Sequence, residues 1–321
     1  MIVLSHVLTA LDLLDRPDAS GKLVAEHLRA LGDDACPITV ETVAGEQGST
    51  DFIQVTVPGS RGRTAGGDAP TLGVVGRLGG LGARPELIGY VSDGDGATAA
   101  VATAAKLLAM HARGDILPGD VVVSTHICPD APTRPHDPVP FMDSPVDITA
   151  MNAHEVTSEM DAVLSIDTTK GNRIVNHRGI AISPTVRAGY ILPVSADLVS
   201  VLETVSGEPA VVFALSTQDI TPYGNGLHHL NSILQPAVAT AAPVVGVAIT
   251  TVTPVAGCAT GASHEVDIAL AARFAVEVAK GFTSGTVSFH DEAEAALLES
   301  LYGPATHLQT TGTAPGAPDR A

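Results

Sequence analysis

The sequence predicts an α/β fold of three layers, a mostly parallel central sheet with helices on both faces. Three observations predict it. Val- and Ile-rich runs are continuous rather than alternating, as in strands covered on both sides. They are interleaved with Ala- and Leu-rich stretches of helical period. The chain is 45% hydrophobic but only 3% aromatic, with no Trp, so its core is aliphatic.

The elements follow in order. Helical spacing marks residues 4–15 and 20–32, the second opened by Ser20 as N-cap. Short strands are expected at 39–44 and 51–58, then a Gly/Pro loop at 59–70. TLGVVGRL (71–78) and ELIGYVSD (86–93) read as strands, ATAAVATAAKLLAMHA (97–112) as a helix and DVVVSTHI (120–127) as a strand. Strands follow at 161–167, 210–217 and 243–250, and helices at 195–207, 223–234 and 267–280. This gives one compact domain over 1–302. The Gly-, Pro- and Thr-rich tail 303–321 is expected to be disordered.

Composition narrows the function classes. Lys and Arg number 17 against 35 Asp and Glu, a net charge of −18. That field repels a phosphate backbone, so nucleic acid is not an expected partner. No apolar run reaches 18 residues, so no membrane partner is expected. The N-terminus lacks a basic n-region and a cleavage site. Cys36, Cys128 and Cys258 form no CxxC pair, which fits a reducing compartment. A cytoplasmic protein is expected.

Ligands of open α/β sheets bind beyond the carboxyl ends of the strands. Asp93 stands at such an end, with Asp95 just after it; either is a ligand or an N-cap. His126 ends the 120–127 strand, followed by Cys128 and Asp130. Asp167 ends the 161–167 strand, and Lys170, Asn172 and Arg173 after it form either an anion clamp or a solvated loop. Asp219 follows the 210–217 strand. Ser263, His264 and Glu265 close the loop after 243–250. Carboxylates and imidazoles on one rim are the ligand set of zinc, manganese or cobalt. Cys128 beside His126 offers a weaker Cys–His alternative. Cys258 reads as a small loop hydrophobe, and His228 and His229 as structural. The stretch 128–145 carries six prolines and His136, and reads as a stiff rim or a rigid connector.

The blocks GSTDF (48–52), GGDAPTLG (66–73), RLGGLGARPE (77–86), THICPDAP (125–132), SIDTTKGNR (165–173), TQDITPYGNG (217–226) and CATGASHEVD (258–267) resemble a prokaryotic family classed only as a domain of unknown function. The order of features also resembles, more faintly, the co-catalytic zinc exopeptidases of glutamyl and leucyl aminopeptidase type. That resemblance implies a zinc-exopeptidase-like, hydrolase-like domain and a homo-oligomer. It implies metal ligation by Asp93 (or Asp95), His126, Asp167 and His264, and substrate contacts from Arg77, Lys170, Asp219 and Glu265. Two departures stand out. The His-x-Asp position reads Arg77-Leu78-Gly79, without a ligand. The Glu-Glu position falls within 125–130, leaving Asp130 as general base. Arg77 then binds a substrate carboxylate or forms a structural salt bridge. The expected activity is metal-dependent hydrolysis, with zinc as cofactor, of an amide or peptide bond in a small peptide-like substrate. The alternative is a non-catalytic small-molecule binding or regulatory protein on the same scaffold.

Overall fold

The computed structural model describes residues 2–46, 48–77, 90–128, 131–135, 141–255 and 262–312. Asp130, His136 and Cys258, singled out in the sequence, lie outside them, as do the first four residues of the strand expected at 86–93.

Two helices open the chain, α1 (Val3–Leu14) and α2 (Gly21–Arg29). The Ser20 hydroxyl accepts from the Leu23 amide at 3.3 Å, as an N-cap should. A hairpin of β1 (Ile38–Gly45) and β2 (Gly48–Val57) follows. Then come β3 (Leu72–Gly76), α3 (Asp95–His111), β4 (Val121–Ile127), the short β5 (Thr133–Arg134) and β6 (Phe141–Met142), α4 (Ile148–Glu155) and β7 (Ala162–Thr168). The second half holds β8 (Gly179–Ile182), β9 (Val186–Arg187), β10 (Tyr190–Ile191), α5 (Ala196–Ser206), β11 (Val244–Thr250), α6 (Glu265–Ser284) and α7 (Glu292–Tyr302).

The main sheet runs β1-β2-β4-β3-β7-β11-β9-β10, with β8 also paired to β11. Its four central strands, β4, β3, β7 and β11, are parallel. Every strand outside them pairs antiparallel, so the sheet is mixed and parallel only where it is most buried. Every residue of β3, β4 and β11 is buried, which is why those runs do not alternate.

The two faces are covered differently. Val74, Val123, Leu164, Ile166 and Val247 pack with residues of α1, α3, α5 and α6 in the larger core. Val75, Val122, Val163, Val244 and Ala248 face a smaller core closed by Phe213, Ile220, Ile233 and Leu234 from irregular segments. α3 is Ala-rich and almost wholly buried, which lets it lie close on the strands. At Gly96 an added Cβ would stand 2.4 Å from the Arg77 carbonyl oxygen and 2.7 Å from that of Ile166. Only glycine permits that approach.

Three expected elements differ. Tyr90 and Val91 are not in a strand, and a 3-10 turn covers Ser92–Gly94. The apolar run 210–217 is reduced to one bridge, Val212 to Ile182, because it flanks β8 for only a few residues before turning off. The helix expected at 223–234 is a series of turns ending in the 3-10 segment Gln235–Val238; Gly224 and Gly226 both take positive φ there. Residues 303–312, in the tail expected to be disordered, include the 3-10 turn Thr306–Gln309. The Gln309 amide donates to the carbonyls of Ala237 and Thr240, both at 2.7 Å.

Candidate functional site at the carboxyl edge of the sheet

The chain reverses direction around β3. From β3 it passes through α3 on one face to β4; from β4 it passes through α4 on the other to β7, on the far side of β3. Such a switch point opens a crevice at the carboxyl ends of the strands.

Register fixes what stands there. Gly76 pairs with Thr125 on one side and Ile166 on the other. The next residues, His126, Arg77 and Asp167, therefore form a row across three strands. By alternation all three project to the α4 face. His126 and Asp167 lie two strand spacings apart, about 10 Å, with Arg77 between them.

α4 supplies their partners. The Asp147 carboxylate caps this helix by accepting from the Ala150 amide at 2.8 Å. Asn152 and Glu155 then face the sheet. Arg77 Nη1 donates to Glu155 Oε2 at 2.5 Å and to Asn152 Oδ1 at 3.3 Å. The other Glu155 oxygen lies 2.6 Å from His126 Nδ1. Arg77 is 2% exposed and both His126 and Glu155 are 0% exposed, so the charges compensate one another out of water. Burial alone would raise the Glu155 carboxyl, but Arg77 and His126 outweigh it and hold it below the usual range. Phe52 lies against the imidazole, ring centroids 5.3 Å apart.

That arrangement leaves the far nitrogen of His126, Nε2, buried and without a hydrogen-bond partner among the described residues. The hydroxyls of Ser124 and Ser165, one pleat back on the same face, are likewise unpartnered. Buried polar atoms in this condition are uncommon. Asp167 accepts from the Ser232 hydroxyl at 2.9 Å and from the Thr168 amide at 2.7 Å. Burial pushes its carboxyl above the ordinary range, against the pull of Ser232 and Arg77.

A second cluster lies at the start of α3. Asp95 is fully buried and lies 3.0 Å from Lys170 Nζ. It also accepts from the Ser263 hydroxyl and, at 3.3 Å, from Tyr90. Burial raises its carboxyl and Lys170 opposes the shift. Lys170 is thus spent largely on Asp95 and on the Ala262 carbonyl. Of the two aspartates at this turn, Asp95 is the one buried among polar groups; Asp93 is half-buried.

The remaining expected residues stand apart from the row. His264 is 56% exposed, caps α6 by position only, and lies 3.8 Å from Asp267. It lines a cleft of about 470 Å³ with Glu265, Arg178 and Thr251. A further cleft of about 300 Å³, lined by Asn172, Arg173, His228 and Asn231, adjoins the end of β7. Asp219 is fully buried and bridges two loop segments, accepting from Ser216 and from the Leu230 amide. Asp93, His126, Asp167 and His264 do not bring three ligand atoms to within 4.8 Å of one another. With the Arg77 guanidinium between His126 and Asp167, the four as arranged do not fit one cation.

A family model described as protein of unknown function (DUF1177) matches residues 41–312. The chain belongs to the DUF1177 family. The match takes in every strand of the sheet except the first residues of β1, and both polar clusters of the DUF1177 site. No curated protein matches the chain.

Among the residues the sequence did not single out, Glu155 and Asn152 matter most. Their signal was present. Asp147 is a helix-start residue, and Asn152 and Glu155 interrupt the apolar stretch ITAMNAHE at positions that share a helix face. The proline-rich stretch before it dominates the local composition and masks this short helical period.

Proposed function

We propose that the chain is a hydrolase acting on an amide or peptide bond of a small peptide-like or amino-acid-derived molecule, with His126 Nε2 as the proton-accepting atom. The observation that carries this reading is the pairing of His126 Nδ1 with a buried carboxylate at 2.6 Å while Nε2 stays buried and without a hydrogen-bond partner among the described residues. A carboxylate behind an imidazole fixes its orientation and stabilises the cation formed when it takes a proton. Water attacks the carbonyl carbon, His126 takes its proton, and the same proton passes to the leaving amine. Arg77 serves as a positioning residue that keeps Glu155 ionised. The resemblance to zinc exopeptidases is part of this proposal for the reaction class. No step is assigned to a metal, since the four expected ligands do not assemble.

That last observation favours a second reading, a non-catalytic small-molecule binding protein on the same scaffold. An amine-release screen over small amino-acid amides and dipeptides, run with and without chelator, separates the two. Turnover that falls in His126→Gln supports the hydrolase, and loss to chelator would add a metal. Thermal stabilisation by the same compounds without any turnover would overturn the hydrolase in favour of binding.

A further inference from the structure

A third cluster lies at the opposite end of α3, about 25 Å from Asp95 at a rise of 1.5 Å per residue over its 17 residues. Asp33, Cys36 and His111 each offer one ligand atom, and these atoms lie within 4.8 Å of one another. We propose that Asp33, Cys36 and His111 form a zinc site that ties the α2–β1 connection to the end of α3.

The backbone prepares this site. Asp33 and Cys36 are the first and last residues of a turn, closed by the Cys36 amide donating to the Asp33 carbonyl at 3.2 Å. The Asp33 Oδ1 atom accepts from the Ala35 amide at 3.0 Å, which fixes the carboxylate and leaves Oδ2 facing His111 Nδ1 at 3.0 Å. Gly32 presses the turn onto α3, since an added Cβ would stand 3.0 Å from Leu108 Cδ2. Cys36 is 6% exposed, the His111 side chain 9% and the Asp33 side chain 43%, so the site is closed below and open to solvent on the carboxylate side.

The donors specify the cation. One sulfur, one imidazole nitrogen and one carboxylate oxygen suit a borderline ion, and zinc takes all three in tetrahedral sites. Three protein ligands leave the fourth position to water. Donor separations in such a shell are about 3.5 Å, so closing requires movements on the order of 1 Å. His111 is the last residue of α3, where the negative end of the helix dipole favours a cation. Binding breaks the Cys36 S–H bond in favour of sulfur–metal coordination, and the proton leaves to solvent.

The test is cobalt titration of the metal-free full chain, followed by zinc. The site predicts one equivalent of cobalt bound with thiolate-to-metal charge-transfer absorption, which zinc abolishes. Cys36→Ser loses that absorption, and His111→Gln, a near-surface change, weakens cobalt binding by about tenfold or more. His126→Ala retains it in full, which separates this site from the carboxyl edge. The proposal is overturned if the wild type gives no charge-transfer absorption, or if the absorption survives in Cys36→Ser.

Discussion

Glu155→Gln tests the buried relay. The substitution keeps the shape of the side chain and an acceptor for His126, and removes only the charge. Arg77, 2% exposed, then loses the ionised partner at 2.5 Å. Leaving a buried charge uncompensated costs about 3–5 kcal/mol. At roughly 2.1 cal/mol/K per residue, the unfolding entropy of 321 residues is near 0.7 kcal/mol/K, so Tm falls by about 4–8 °C. Differential scanning calorimetry at neutral pH reads this directly. Adding Arg77→Met removes the stranded charge, and the double variant regains at least half of the loss, because the two sites are coupled rather than additive. A Glu155→Gln protein that melts within about 1 °C of the wild type contradicts a compensated buried charge at Arg77, as does a double variant less stable than the single one.

Two further outcomes follow from the same edge. Burial raises the Asp167 carboxyl, so its contribution to stability is intact below the unfolded value of 3.8 and is lost as pH rises through the folded value. Asp167→Asn escapes that loss and gains in Tm relative to the wild type as pH is raised from about 4 toward neutrality; a constant or shrinking gap across a pH series of melts contradicts it. Gly96→Ala drives a methyl toward two backbone oxygens and lowers stability by at least about 1–3 kcal/mol, measured by urea titration, while a neutral result removes the close-approach role assigned to Gly96.

The central strands were legible in the sequence because burial on both faces leaves continuous apolar runs, as in Val121–Val123 and Val244–Ile249. The antiparallel flanks were harder to read, since β8, β9 and β10 are only two to four residues long. The strand expected at 210–217 failed for a tertiary reason: Val211, Phe213 and Leu215 pack on the smaller core while the run meets the sheet at a single bridge. At the rim, Arg77, His126 and Asp167 could be placed at strand ends by pattern alone. Their common row could not, because it depends on the register of β3 with β4 and β7, whose paired residues (Gly76 with Thr125 and with Ile166) are far apart in the chain. Nor could the use of Arg77 and Lys170, whose charges are taken up by Glu155 and Asp95 rather than left free for a substrate carboxylate. His264 lines a cleft with Thr251 at the carboxyl end of β11 but stands apart from the row. The α6 helix it precedes carries it out to solvent at 56% exposure.

The role of His126 is tested most directly by the steady-state kinetics of wild type and His126→Gln on an amide substrate found by amine release. Gln fills the imidazole site but cannot accept a proton at the Nε2 position. With His126 as the proton acceptor, kcat falls by about 10²–10⁴-fold with KM little changed, as for removal of a general base. Equal kcat in the two proteins would contradict it.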